Sequence, residues 1–441
     1  MRAGRRMEIV LVVALVLAIA TLAVFRFSAT RTASISDPPA PPVAEPAAGS
    51  TDCVRDALLE PGTFSGEPVG EDVGDLADAV EETRELRFSE TPEPIYLRPA
   101  EFSMRVRGFV DEYSDDDADE DSRILSSLGA IEEGTDLKGM LRKALGEQVA
   151  GFYDPDTRQL VVGTEAADEL SFLERVTLAH ELEHALADQA LGLPLQRDEV
   201  PEGEEDAQAA ATALVEGDAT LTMTLVSFRL AGSDPASLLG EGLEALAGPR
   251  TDLPHHIQRS LLFPYEEGLG FACSLYSRGG WDAVDAAYRE PPATTAEVLF
   301  PERYGRQEVE DPPDPADPAG WGERVTQAFG AADLLFLFEA PGGDPSAALD
   351  EPRRRVSVWR GGEVHLWARG DRSAVALALL GDDTLCGSVK AWQRAATGEV
   401  VESGGVSRSE GGDRSTVVRC GADEVRVGVA PDGRTAEALV R

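Results

Sequence analysis

Apolar and polar positions divide the chain into stretches of different period. Ile9 to Phe25 is an uncharged, apolar run of 17 residues, about 25 Å long as a helix and so just able to cross a bilayer. Arg2, Arg5 and Arg6 precede it, and Arg26 follows directly without a clean small-x-small cleavage site. That arrangement predicts an uncleaved signal anchor, with a cytoplasmic tail over residues 1–8, a transmembrane span over 9–25 and the body outside. Residues 26–52 are rich in Pro, Ala and Ser and poor in large apolar side chains, which predicts an extended linker.

Beyond the linker the periodicity is that of folded domains. Gly151 to Gly163 reads as a β-hairpin, an aromatic strand and a β-branched strand around an Asp-Pro-Asp turn. Ser171 and Glu174 form a capping box ahead of Val176, Ala179, Leu182 and Leu186 at helical spacing, and Gly192 with Pro194 ends that helix. A second long helix is predicted from about Glu204 to Leu230, with shorter helices around 235–247, 252–261 and 266–278 and another starting at Trp281. Past Pro345 the runs VSVW, VHLWA, AVALALL, STVVRC and EVRVGV alternate as strands, with one amphipathic helix near Leu385 to Ala395. The expected fold class is α+β: a mainly helical domain with a small sheet over 53–345, then a smaller α+β domain over 346–441.

Composition narrows the partners. Eighty acidic against forty basic residues leave a net charge of −40, which repels phosphate backbones and excludes nucleic acid. The acidic run from Asp111 to Asp121 lacks the glycine and the 12-residue pattern of an EF-hand and reads as a solvated surface. Four cysteines in an exported chain allow two disulfides, of which Cys386–Cys420 is the one pairing expected.

The chemistry concentrates at His180-Glu181-Leu182-Glu183-His184, an H-E-x-x-H inside the capped helix. At 3.6 residues per turn the two histidines stack on one face and reach one ion, while Glu181 projects about 100° around from His180, beside the metal and not on it. A catalytic zinc needs a third protein ligand and an exchangeable water. A third histidine six residues on is absent, since Ala190 stands there. Glu216, a carboxylate on the otherwise apolar face of the second helix, is the best candidate, with Asp218 the alternative.

These features resemble the gluzincin zinc peptidases. Gly-Phe-Tyr-Asp-Pro, His-Glu-Leu-x-His-Ala-Leu-x-Asp-Gln and Glu-Gly-Asp-Ala together are similar to a group of uncharacterised exported bacterial gluzincin-like proteins, over about residues 75–305. The resemblance implies a zincin-like fold, zinc held by His180, His184 and Glu216, and Glu181 as general base. Thr220 departs from it, standing where many gluzincins carry an Asp that orients a zinc histidine; Asp188, one turn past His184, is the expected substitute. Tyr265 is the candidate second donor to the oxyanion, with His255 and His256 as alternatives and a tyrosine bonded to a backbone carbonyl as the plainer reading. Zincins lay substrate along an edge strand, which here implies Gln159 to Gly163. The function expected is a membrane-anchored, extracytoplasmic zinc-dependent peptidase that cleaves peptide or protein substrates with a zinc-activated water. The alternative is an inactive or structural zinc-bearing interaction module at the cell surface.

Overall fold

The computed structural model describes residues 69, 72–148, 151–165, 170–194, 204–231, 253–306, 309–322, 324–411 and 414–441. The signal anchor, the linker, Cys53 and the helix expected at 235–247 lie outside the described residues. Among the described residues no helix is long and apolar enough to cross a membrane.

The chain is a mixed α+β protein. The order of the first half is α1 (Val73–Arg84), β1 (Ile95–Leu97), α2 (Pro99–Glu112), α3 (Asp115–Ser127), α4 (Leu137–Gln148), β2 (Gly151–Asp154), β3 (Gln159–Gly163), α5 (Phe172–Ala190), α6 (Glu205–Ala231), α7 (His255–Arg289) and α8 (Thr295–Leu299). The Ser171–Glu174 capping box is formed as expected and fixes where α5 begins. Helix α6 is buried on every side from Ala210 to Ser227, which makes it the central rod against which α1, α5 and α7 pack. The acidic run begins α3, with Ser114 as N-cap and Asp115, Asp116 and Asp117 in the first turn, where carboxylates favour the helix dipole.

Helix α7 corrects the expectation of separate segments. Pro264 costs it one internal hydrogen bond, yet the helix runs on through it. Phe263, Tyr265, Leu269 and Phe271 are buried on either side of the proline, and their burial outweighs the lost bond. The bend falls instead at Gly279 and Gly280, immediately before Trp281, where the backbone leaves the helical region.

The second half comprises β4 (Arg324–Ala328), α9 (Ala331–Glu339), α10 (Pro352–Val356), β5 (Gly361–Arg369), β6 (Arg372–Leu380), α11 (Asp383–Thr397), β7 (Val401–Ser403), β8 (Val406–Gly411), β9 (Arg414–Cys420), β10 (Glu424–Ala430) and α12 (Gly433–Leu439). Its sheet runs β4-β5-β6-β10-β9-β8-β7, antiparallel throughout. VSVW is not a strand: Pro352 opens α10 at its first turn, so Val356 ends a helix and Trp359 enters the core from the turn that follows. Strand β4 precedes the expected domain boundary at 345, and α9 then returns the chain to the helices. One apolar cluster accordingly runs from Leu214 and Phe271 through Phe336 to Val364 and Val375. Cys386 and Cys420 are joined, tying α11 to β9 across 34 residues.

The small sheet has the order β1-β3-β2, with β1 parallel and β2 antiparallel to β3. Strand β3 is therefore central, and β2 is an edge strand lying against α5.

Candidate metal centre

One turn of α5 separates His180 from His184, and their Nε2 atoms lie 3.0 Å apart. Glu216 of α6 brings Oε2 to 3.1 Å from His180 Nε2 and 3.4 Å from His184 Nε2. All three residues are fully buried. These separations are close to the roughly 3.3 Å edge of a tetrahedron of ligands about 2.0 Å from a central ion. Glu216 Oε1, His180 Nδ1 and His184 Nδ1 are buried without a hydrogen bond. Three buried donor atoms turned inward on one point are what a cation reconciles, while the two Nδ1 atoms, on the far side of their rings, stay unpaired with or without it. Two imidazoles and one carboxylate suit zinc, and three protein ligands leave the open position that catalysis requires.

The three side chains also set one another's charge. Burial disfavours a charged His184, but Glu216, Glu181 and Glu183 outweigh it and raise its pKa to about 9. Burial holds His180 below the ordinary imidazole value, its hydrogen bond to Glu216 only partly opposing this. Glu216 stays below the usual carboxylate range despite burial, because both histidines favour its charge.

Glu181 is also buried, and its Oε2 accepts a 2.8 Å hydrogen bond from the backbone N–H of Tyr153 in β2. Burial pushes its carboxyl up to about 8, with Glu216 adding to the rise and His184 and the Tyr153 amide opposing it. Gly151 sits close to α5: a Cβ there would be slightly tight against Val161 O at 3.3 Å and in ordinary contact with Thr177 Cγ2 at 3.4 Å and Glu181 Cγ at 3.5 Å.

Behind the triangle lies a set of charges that local sequence patterns do not reveal. Arg84, from the end of α1, is fully buried; its Nε donates to Asp218 Oδ1 at 2.9 Å and its Nη2 to Asp285 Oδ1 at 2.6 Å. Its guanidinium stacks 4.5 Å over the Trp281 ring. Asp218, the alternative third ligand, is thus committed to Arg84. Glu183 lies in the same pocket, 3.9 Å from Arg84 Nε and 3.8 Å from His184 Nδ1, and burial followed by the charge of Asp218 raises its carboxyl well above the ordinary range. The available sequence signal was an acid at each of two positions, 183 and 218, on helix faces too apolar to hold one unpaired.

Two expectations are corrected. Asp188 does not orient a ligand histidine: its Oδ2 accepts from the Tyr153 hydroxyl at 2.7 Å, while the Nδ1 atoms of His180 and His184 make no hydrogen bond. Strand β3 offers no free edge for a substrate, since β1 and β2 occupy both sides. The three oxyanion candidates separate. Tyr265 is buried beside Val176 and Met223 with its ring 6.1 Å from that of His180. His255 and His256 turn to α9, with Nε2 3.0 Å from Glu339 Oε2 and 3.6 Å from Asp333 Oδ1 respectively. They begin α7, about 15 Å along its axis from Tyr265.

No family model, no curated protein and no solved structure matches the chain.

Proposed function

We propose that this protein is a zinc-dependent peptidase, held to the outer face of a membrane by the N-terminal apolar run. The observation that carries the reading is the division of labour on α5: His180 and His184 join Glu216 in the ligand triangle, while Glu181 stays out of it, tied to β2. A zinc ion, when bound, supplies a Lewis acid that polarises a peptide carbonyl and acidifies water. Glu181 takes the proton from the attacking water and delivers it to the departing amine nitrogen. Glu181, its carboxyl held up at about 8 by burial, would sit nearer the pH at which a general base works beside a bound cation. Tyr265 is the side chain suited to donate to the oxyanion.

The full burial of the triangle favours a second reading, a structural zinc within a surface interaction module. Glu181→Gln separates the two. It keeps the shape and removes the basicity, so zinc content stays unchanged while hydrolysis of a peptide library falls by at least about 100-fold. A wild-type protein with full zinc that cleaves no peptide would overturn the peptidase reading.

A further inference from the structure

Residues 309–322 cross one face of the seven-stranded sheet and are tied down along their length. Glu310 N–H donates to Arg360 O at 3.2 Å, Arg426 Nη2 to Pro313 O at 3.3 Å, Trp367 Nε1 to Asp317 Oδ1 at 3.0 Å and Gly322 N–H to Ala368 O at 3.1 Å. His365 of β5 is fully buried on this sheet, its Nδ1 3.1 Å from Thr326 Oγ1 on β4. Its Nε2 is buried and makes no hydrogen bond, a costly state for a polar atom. With Nδ1–H donating to Thr326, that nitrogen presents a bare lone pair. Two carboxylates converge on it. Glu363, on the same face of β5, places Oε2 3.3 Å away, and Asp314 brings an oxygen from the crossing segment so that all three ligand atoms lie within 4.8 Å.

We propose that Asp314, Glu363 and His365 form a second divalent-cation site, of the class that takes zinc, separate from the His180–His184–Glu216 triangle and independent of the peptidase reading. The imidazole selects a transition-type ion over calcium or magnesium, which take all-oxygen shells. Asp314 is exposed, so solvent reaches the site and supplies the remaining ligand. The competitor is Arg324, whose Nη1 lies 3.0 Å from Asp314 Oδ1 and whose Nη2 donates to Oδ2 at 3.2 Å. The pair is two-pronged and Arg324 is only partly exposed, so it competes in earnest, and the ion binds by taking over one of the two carboxylate oxygens. A bound ion clamps the segment that leaves the helical half onto β5.

The test counts zinc by mass spectrometry in detergent-solubilised full chain without an affinity tag, after equilibration with zinc. Expected are two ions per chain in wild type, one in Glu216→Ala, one in Asp314→Asn or His365→Ala, and none in Glu216→Ala combined with Asp314→Asn. Asp314 is a surface residue, so its variant keeps the fold even if loss of the buried imidazole does not. Arg324→Gln removes the competitor and tightens the second site about two- to fivefold. A wild-type count of one that falls to zero in Asp314→Asn supports this site and removes the other. A count that Asp314→Asn leaves unchanged, or weaker binding in Arg324→Gln, overturns the proposal.

Discussion

Replacing Gly217 by alanine tests whether the metal centre depends on how closely two helices approach. Gly217 follows Glu216, and α6 crosses α7 here backbone to backbone. A Cβ on Gly217 would lie 2.1 Å from the Gly268 carbonyl oxygen, and one on Gly268 would lie 2.2 Å from the Ala213 carbonyl oxygen. Ordinary contacts need about 3 Å or more, so the helices must part by on the order of 1 Å. Overpacking of this kind costs about 1–3 kcal/mol, and a clash between two rigid backbones belongs at the upper end. Alanine returns about 1 kcal/mol through its better helix propensity, leaving a net loss of roughly 2 kcal/mol. The metal is affected more sharply, because zinc–ligand distances tolerate only about 0.2 Å of error. A shift of Glu216 away from His180 and His184 therefore predicts a zinc dissociation constant raised at least about tenfold. Gly387 is the control. It is exposed on α11 with no atom near its would-be Cβ, so Gly387→Ala gains up to about 1 kcal/mol and leaves zinc untouched. Chelator competition and chemical denaturation of the two variants side by side decide the matter. If Gly217→Ala is as stable as Gly387→Ala and binds zinc like wild type, the close crossing does not hold the ligand in place.

Three further outcomes are expected. Glu216→Ala loses most of the zinc held with His180 and His184, measured in protein carrying Asp314→Asn so that only this centre is counted; unchanged zinc would remove Glu216 from the ligand set. Buried Asp206 has its carboxyl raised to about 7, by burial first and then by Asp333, against the hydrogen bonds from Thr295. The folded chain therefore keeps a proton the unfolded chain releases near pH 4. Its contribution to stability is full below that pH and is lost as pH rises to 7, a change of at most roughly 4 kcal/mol. Asp206→Asn should abolish this slope, and parallel denaturation curves for both proteins between pH 5 and 8 would refute it. Replacing Cys386 and Cys420 together by alanine frees a loop spanning 34 residues and should cost about 2–4 kcal/mol of unfolding free energy.

What could be read in the chain was local. The capping box, the 3.6-residue spacing of His180 and His184 and the acid on the apolar face of α6 each sit within a few turns of helix, and the structure brings them together as expected. What could not be read depends on distant partners. Arg84 is 134 residues from Asp218, and nothing near either of them announces the pair. Strand β1 has three residues and follows a proline-containing segment, too short to show a period. Only its parallel pairing with β3, more than sixty residues on, turns β3 from an edge into a centre strand. Pro264 misled in the opposite direction, since a local rule for breaking helices gave way to burial on both sides.

The three residues Glu216, Gly217 and Asp218 show why a short motif on α6 carries so much. Successive side chains on a helix point about 100° apart, so the three look in three directions at one level of the central rod. Glu216 faces α5 and completes the ligand triangle, Gly217 meets α7 at Gly268, and Asp218 faces α1 through Arg84. Arg84 in turn reaches Asp285 and stacks on Trp281, both beyond the Gly279–Gly280 bend of α7. Each of the three helices around α6 is thus pinned within one turn of Glu216, by a contact tolerant of little substitution: a carboxylate against two histidines, a glycine against backbone, a charge buried with its counterion. Removing a buried Arg84 would strand Asp218 without compensation, at about 3–5 kcal/mol, whereas an exposed ion pair in its place would anchor little. The His180–His184–Glu216 triangle is held by packing and charge on three sides of one helix, which is why the residues beside Glu216 are as constrained as Glu216 itself.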